Sequence, residues 1–378
     1  MPLRVIQWAT GSVGRAAIRA VLAHPDLTLV GCRVHSAAKD GVDAGELAGG
    51  EPIGVRATRD VDEILRLRAD AVVYSPLLPD EREVEALLRS GKNVVTPVGW
   101  FYPEPRRAAR LAAACDQGGV TLHGTGIDPG GVTEIFPLMV SSMSSAVTFV
   151  RGEEFSDIRT YDAPDVVRDV MGFGGTREQA IAGPMVKLLD GGFRQSVAMV
   201  LDGLGFDPAR RPGIRRTHDV GLATAAVPSP IGDVGPGRVA AQRFRWEAVA
   251  GSQQDQEVVV RVGVTWLMGE EHLEDGWTLG PDGERFELEV RGEPDAVVTI
   301  RGWQAESVSA GLLRNPGILA TAAHCVNSIP YVCAAAPGVR TALDLPVVTG
   351  RAHPRLLGTA QGTSQGTSQG TSQGTMRP

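Results

Sequence analysis

The sequence predicts an α/β chain: a Rossmann parallel-sheet domain followed by an α+β second domain with a mostly antiparallel sheet. Three observations carry this prediction. A short apolar run at residues 5–9 leads into Gly11 and Gly14 and then into a helical pattern. Strand-like and helix-like segments alternate up to about residue 140, the signature of a parallel sheet covered by helices. From about Ser142 the pattern changes to short helices and then longer strands with partial alternation.

The first unit is βαβ. Residues 5–9 read as a strand, 15–23 as a helix with Ala17, Ile18, Val21 and Leu22 on its inner face, and 27–30 as the next strand. Between strand and helix the chain must turn sharply. Gly11 allows the backbone to approach a pyrophosphate without a Cβ in the way, and the free N–H groups of the helix point at that site. Gly14 allows the helix to sit close to the sheet. Ser12, Val13 and Arg15 complete the turn. A full dinucleotide fingerprint would place glycine at position 9, which is Ala9 here. The strand–turn–helix context is what gives the pair its meaning.

The end of the second strand speaks to the cofactor. Sites for NAD commonly put an acid there to hold the ribose 2′-hydroxyl. This chain has none before Asp40; Arg33, His35, Ser36 and Lys39 stand there instead and are suited to a 2′-phosphate. NADP is therefore expected, with NAD as the alternative; a solvated basic loop is the plain reading.

Further along, helices are expected at 60–65, 81–90 and 104–117, and strands at 71–75, 93–96 and 120–123. Ligands gather beyond the carboxyl ends of such strands. Ser75, Pro76, Thr96, Gly124, Gly126, Asp128 and Pro129 are thus candidates for the cofactor side of a cleft. In the second half, helices are expected at 165–171, at 176–189 with an interruption at Gly183-Pro184, and at 193–204. Strands are expected at 147–152, 237–250, 257–269 and 296–303. An apolar helix at 316–336, broken or kinked at Pro330 and ended by Gly338, is expected to return to the first domain. The domains are accordingly 1–140, completed by 315–345, and 141–314 for substrate and dimerisation. Residues 355–378, with their Gly-Thr-Ser-Gln repeats, have nothing apolar to bury and are expected to be disordered.

Composition sets the outer bounds. The 378 residues suit two domains at roughly 100–200 residues each. A formal net charge of -7 gives no bulk attraction for nucleic acid or anionic lipid. No window approaches about 18 uninterrupted apolar residues, so no membrane span is expected. Cys32, Cys115, Cys325 and Cys333 form neither a CxxC pair nor a zinc pattern. Reduced cysteines and the lack of a leader-like segment point to the cytoplasm.

Several stretches together resemble a known family. They are Trp8-Ala9-Thr10-Gly11-Ser12-Val13-Gly14, Val34-His35-Ser36 through Lys39 with Asp43-Ala44-Gly45-Glu46-Leu47, Gly91-Lys92-Asn93-Val94-Val95-Thr96, Gly124-Thr125-Gly126 with Asp128-Pro129-Gly130, Met171-Gly172-Phe173-Gly174 and Val326-Asn327-Ser328-Ile329-Pro330. The set resembles the proteins related to dihydrodipicolinate reductase at the N-terminus, near 2,4-diaminopentanoate dehydrogenase and the native amine dehydrogenases of actinobacteria. The resemblance implies a nicotinamide cofactor, a homodimer, and hydride transfer at a C=N or C=O carbon. It also implies that Asn327 lies near the nicotinamide end of the cleft. Two departures qualify it. Amine dehydrogenases carry a catalytic Glu just after the Asn-Val-Val-Thr strand, where this chain has Gly99 and Trp100, and Glu104 is not the matching position. Activity on ammonia and ketones is therefore not carried over. The His-His and Lys of the lysine-pathway reductases are missing from the stretch 151–161, so that activity is not expected.

The expected function is an NAD(P)-dependent dehydrogenase or reductase acting on a hydrophobic ketone, imine or amine. The alternative is a nicotinamide-binding sensor or structural protein without catalysis. Proton-donor candidates are Tyr161, Tyr102, Asp157 and His123. Trp100 and Phe101 suit an apolar substrate wall. For each of these, core packing is the plain reading.

Overall fold

The computed structural model describes residues 1–251, 255–352 and 356. The expected tail, apart from residue 356, lies outside the described residues. In chain order the strands are β1 (Leu3–Trp8), β2 (Leu27–Arg33), β3 (Ala57–Thr58), β4 (Ala71–Tyr74), β5 (Asn93–Thr96), β6 (Thr121–Gly124), β7 (Ser145–Asp157), β8 (Gly213–Leu222), β9 (Val239–Gly251), β10 (Gln256–Leu267), β11 (Arg285–Glu293), β12 (Ala296–Ile300) and β13 (Gly338–Val339).

They form two sheets. The first is parallel throughout, in the order β13-β6-β5-β4-β1-β2-β3. Both of its faces are covered, so successive residues of one strand are apolar and enter different cores. Val5 of β1 and Val73 of β4 face the first helix, Ser12–Ala23, and the late helix, Pro316–Ala334. Ile6 and Trp8 of β1, with Val72 and Tyr74 of β4, face helices Glu81–Arg89 and Pro105–Gly118. This is the near-continuous apolar pattern of a buried parallel strand.

The late helix is apolar because it is a core helix. Ile318, Ala322, Cys325, Val326, Ile329 and Val332 form its buried stripe. By length and composition alone the stretch Val308–Ala334 could cross a membrane, but this stripe is taken up by the first core. Pro330 does not break the helix, which ends at Ala334; Gly338 opens β13. Ile329 and Val332 are both fully buried on either side of the proline, and this packing outweighs the lost backbone bond. Cys32, Cys115 and Cys325 are buried free thiols, and Cys333 is half-buried.

The second sheet has the order β12-β11-β7-β10-β9-β8. Four of its five pairings are antiparallel; β7 and β10 run parallel. One face packs on helix Pro184–Gly203, where Phe193 stacks on Trp246 with centroids 4.7 Å apart. The other face is an ionic lattice. Arg151 binds Glu153, Glu287 and Glu289, while Arg215 and Arg261 share Glu247.

Three expectations for this half are corrected. Residues 165–171 make a single π-type turn, Val166–Val170, rather than a helix. Gly183-Pro184 separates two helices, Arg177–Ala182 and Pro184–Gly203, and the second runs without a break through the expected start at 193. Gly192 is required inside it by close packing, since a Cβ there would lie 2.9 Å from Pro129 Cγ, whereas nothing lies within 4 Å of the Cβ position at Gly191. Strands β8 and β11 were not foreseen.

Gly14 shows the same logic in the first domain. A Cβ there would lie 2.1 Å from the Ala9 carbonyl oxygen, whereas nothing lies within 4 Å of the Cβ position at Gly11. Gly14→Ala is expected to cost about 1–3 kcal/mol in denaturant unfolding, and Gly11→Ala under about 0.5 kcal/mol. Equal losses at the two positions would contradict this packing.

Candidate active site

The glycine turn is built for an anion. Ala9 stands at φ 73, in the left-handed region, where a complete fingerprint would have glycine. Gly11 precedes the first helix, and no side chain caps that helix. Its first N–H groups are thus free for a phosphate. A carboxylate already sits beside them. Asp162, from the second domain, places one oxygen 3.6 Å from Arg15 Nη2, and its carbonyl accepts from Ser12 Oγ at 3.5 Å. The other Asp162 carboxyl oxygen is buried without a partner. Burial raises the Asp162 pKa against the pull of Ser12 and Arg15. A diphosphate therefore fits the turn, with Asp162 as its neighbour.

The basic residues after β2 gather against the same turn. The Arg33 guanidinium lies 5.2 Å over the Trp8 ring, and its Nε and Nη1 are buried without partners. Lys39 Nζ donates to the Thr10 carbonyl at 3.0 Å and to Thr10 Oγ1 at 3.2 Å. Ser36 caps the turn Ala37–Lys39, and the His35 carbonyl accepts from Arg59 Nε at 3.1 Å.

At the strand ends, Gln7 Nε2 donates to Ser75 Oγ at 2.9 Å, the Thr96 hydroxyl accepts from Val98 N at 3.2 Å, and Pro76 is buried. Gly124 sits where a Cβ would meet the Gly99 carbonyl at 2.1 Å, and Gly126 where it would meet the Pro129 carbonyl at 3.0 Å.

Between the two sheets lies a cleft of about 1410 Å³. It reaches from Val13 in the glycine turn to the end of β7, and Asp128, Pro129, Tyr102, Asp157 and Tyr161 all line it. Tyr102 donates its hydroxyl to Asp202, which also binds Arg211, and so ties the loop after β5 to helix Pro184–Gly203. The Asp157 carboxylate is held by Arg159 and by the Gly269 N–H at 3.3 Å. Both side chains are thus held by neighbouring groups. Tyr161 has no hydrogen-bond partner for its hydroxyl among the described residues; burial pushes its pKa up to about 12, helped by Asp162 and Glu154.

Two expected residues stand elsewhere. His123 is buried beneath the sheet edge, where its Nδ1 pairs with the Arg340 carbonyl at 2.8 Å and burial pushes its pKa down to about 4. It does not line the cleft. Asn327 lies six residues beyond Thr321, the last cleft-lining residue of the late helix, about 9 Å further along the helix axis at 1.5 Å per residue.

The residues sequence reasoning missed are acidic and aromatic. Glu154, Glu284, Trp266, Phe286 and Trp303 line the inner cleft. Glu154 projects to the opposite face of β7 from Glu153, and its register partners bring Phe286 alongside while Trp266 pairs with Ser156. The Ser156 and Trp266 side chains bind the Glu154 carboxylate. Burial, and then the Glu154 charge, holds the Asp128 carboxyl well above the usual range. Burial likewise pushes Glu284 up to about 7, although its carboxylate accepts from Asp157 N at 2.7 Å. The strand pattern Arg285-Phe286-Glu287-Leu288-Glu289-Val290 was the signal that could have found this wall.

A phosphate-ready helix terminus opening on a cleft with apolar walls and shifted acids defines a nicotinamide-dependent dehydrogenase or reductase of small organic molecules. Comparison with known proteins gives the family. Residues 5–96 match the dihydrodipicolinate reductase N-terminus, and residues 286–354 the 2,4-diaminopentanoate dehydrogenase C-terminal domain. The chain is 34% identical over 364 residues to an amine dehydrogenase of Streptomyces virginiae, spanning 91% of this chain and 96% of that one. It is 24% identical over 251 residues to a 2,4-diaminopentanoate dehydrogenase of Acetoanaerobium sticklandii, covering 65% and 64% of the two chains. The solved amine dehydrogenase from Mycobacterium smegmatis has the same fold, with a TM-score of 0.72 at 21% identity over 93% of this chain and 98% of that one. The chain belongs to the family of amine and diaminopentanoate dehydrogenases with a dihydrodipicolinate reductase-like N-terminus. Its role is catalytic, which sets aside the sensor alternative.

Asp162 sets up a direct test of the turn. Asp162→Asn removes a like charge from beside the diphosphate site and is expected to tighten cofactor binding roughly two- to fivefold, the range of charge effects at a helix N-terminus. Fluorescence titration measures it; weaker binding would contradict the placement.

Proposed function

We propose that the protein is an NADP-preferring dehydrogenase that interconverts a primary amine and its carbonyl counterpart, with an apolar group on the substrate. The observation that carries this reading is the composition of one continuous cleft. It touches the cofactor turn at Val13, is walled by Trp266, Phe286 and Trp303, and holds acids at its inner end. Beside the free Tyr161 hydroxyl, the cleft carries the carboxyl groups of Asp128, Glu154 and Glu284, which suit an ammonium group. The name of the Streptomyces virginiae relative, an amine dehydrogenase, supports the same direction.

When bound, the nicotinamide supplies hydride chemistry. The turn from Gly11 to Arg15 holds the diphosphate, and Arg33 with Lys39 faces the adenosine end. Trp100 and Phe101, on the loop where the family glutamate is absent, line the cleft as part of its apolar wall. Tyr161 is the free hydroxyl of the site. Tyr102 and Asp157 act as positioning residues, through Asp202 and Arg159. The reading includes a homodimer in the cytoplasm, with the broad ionic face of the second sheet available to a second copy.

The test follows formation of reduced cofactor with matched primary amines and secondary alcohols of equal apolar bulk. Turnover of amines and none of alcohols is expected; the reverse preference would overturn the reading. NADP preference has its own test. Hydrogen bonds to a charged phosphate are strong enough that Arg33→Ala is expected to raise KM for NADP about tenfold or more and to change KM for NAD less than about threefold. A uniform loss would contradict a 2′-phosphate role.

A further inference from the structure

We propose that Asp128 and Glu154 form a seat for the substrate's ammonium group and receive its proton. The proposal rests on the amine reading and adds the residues that replace the missing family glutamate.

The first observation is convergence from two domains. Asp128 follows β6 at the carboxyl end of the first sheet, and Glu154 lies on β7 of the second. They meet across the cleft closely enough to hydrogen-bond when one of them is protonated. The second observation is a missing partner. Both Asp128 carboxyl oxygens are buried, and no N–H or O–H among the described residues donates to them. Buried carboxyls are ordinarily satisfied, and among the described residues no arginine or lysine is paired with either residue, whereas Glu153 next door binds Arg151 and Arg245. The third is the wall. Trp266 binds Glu154, and Phe286 stands edge-on to Trp303 with centroids 5.6 Å apart. Aromatic side chains line the same cleft as the two carboxyls, and such rings favour a cation. A carboxyl pair that carries a single negative charge matches a singly charged ammonium.

The chemistry is a single proton transfer. Two neighbouring buried carboxyls share one proton and carry one negative charge. An ammonium binds to that charge and donates N–H bonds to both oxygens. One N–H proton then passes to the pair, which becomes neutral, and the nitrogen keeps its lone pair as a free amine. That is the form from which the Cα hydrogen can leave. In the reverse direction the neutral pair returns the proton to the nitrogen.

The test uses 2-phenylpropan-2-amine, which has no Cα hydrogen and cannot be oxidised, against 2-phenylpropan-2-ol, its neutral isostere. Calorimetry on the wild-type protein, with and without NADP, measures both. Charge-assisted hydrogen bonds predict that the ammonium binds about tenfold or more tightly than the alcohol. Asp128→Asn and Glu154→Gln, each checked for native thermal unfolding, are expected to erase that preference while alcohol binding is kept. Equal or tighter binding of the alcohol by the wild type would overturn the seat without any variant. So would an ammonium preference that survives in both folded variants. The two readings fail separately: a wild-type protein that turns over amines but shows no ammonium preference sinks the seat alone, and a wild-type protein that prefers the ammonium but turns over no amine sinks the amine reading.

Discussion

The two-residue period of β7 is the constraint on which the site depends. Side chains along a strand alternate between faces, so Glu153 and Glu154 are sent in opposite directions. Glu153 enters the ionic lattice, bound by Arg151 and Arg245. Glu154 enters the cleft, where it meets Asp128. Gly152, two residues before it on the same face, lets the strand pass under the turn after β6, because a Cβ there would lie 2.3 Å from the Val132 carbonyl. A register slip of one residue would exchange the two glutamates.

That arrangement is costly to stability. Buried carboxyls without cations are disfavoured, and their pKa values rise until a proton is held. Asp128, Glu154, Glu134 and Glu284 all move in this direction, each with burial as the leading cause. Glu134 at least receives the Gly130 N–H at 2.9 Å; Asp128 receives no donor among the described residues. Three of these, Asp128, Glu154 and Glu284, line one cleft, and perturbed acids gathered in a cleft mark a functional site. The remainder of the molecule offsets them with well-packed cores on both faces of the first sheet and one face of the second, and with a lattice of paired charges.

Much of the fold was legible in the sequence because both of its periodic signals are strong. The βαβ opening, the apolar strands of the parallel sheet and the apolar late helix were read from residues 5–30, 71–75, 93–96 and 316–336. The glycine turn was legible as well, and Ala9 keeps the left-handed backbone that glycine would ordinarily take at that position. The second domain was less readable. Its edge strand β8 is polar, and β11 alternates phenylalanine, leucine and valine with charges that lie on the lattice face. The acids of the site were the least legible. Sequence separates Asp128 from Glu154 by a whole domain junction, and only the pairing of β7 with β10 and β11 shows which glutamate of an adjacent pair faces inward. His123 was chosen as a histidine at a strand end and Asn327 from the resemblance; His123 packs against the Arg340 carbonyl, and neither residue lines the cleft.

A crystal structure of the complex with NADP and 2-phenylpropan-2-amine tests the central claim most directly. The account predicts the amine nitrogen within about 3.2 Å of carboxyl oxygens of both Asp128 and Glu154, with the phenyl ring against Trp266, Phe286 or Trp303. A nitrogen placed at the outer cleft, with water or nothing against Asp128, would contradict it.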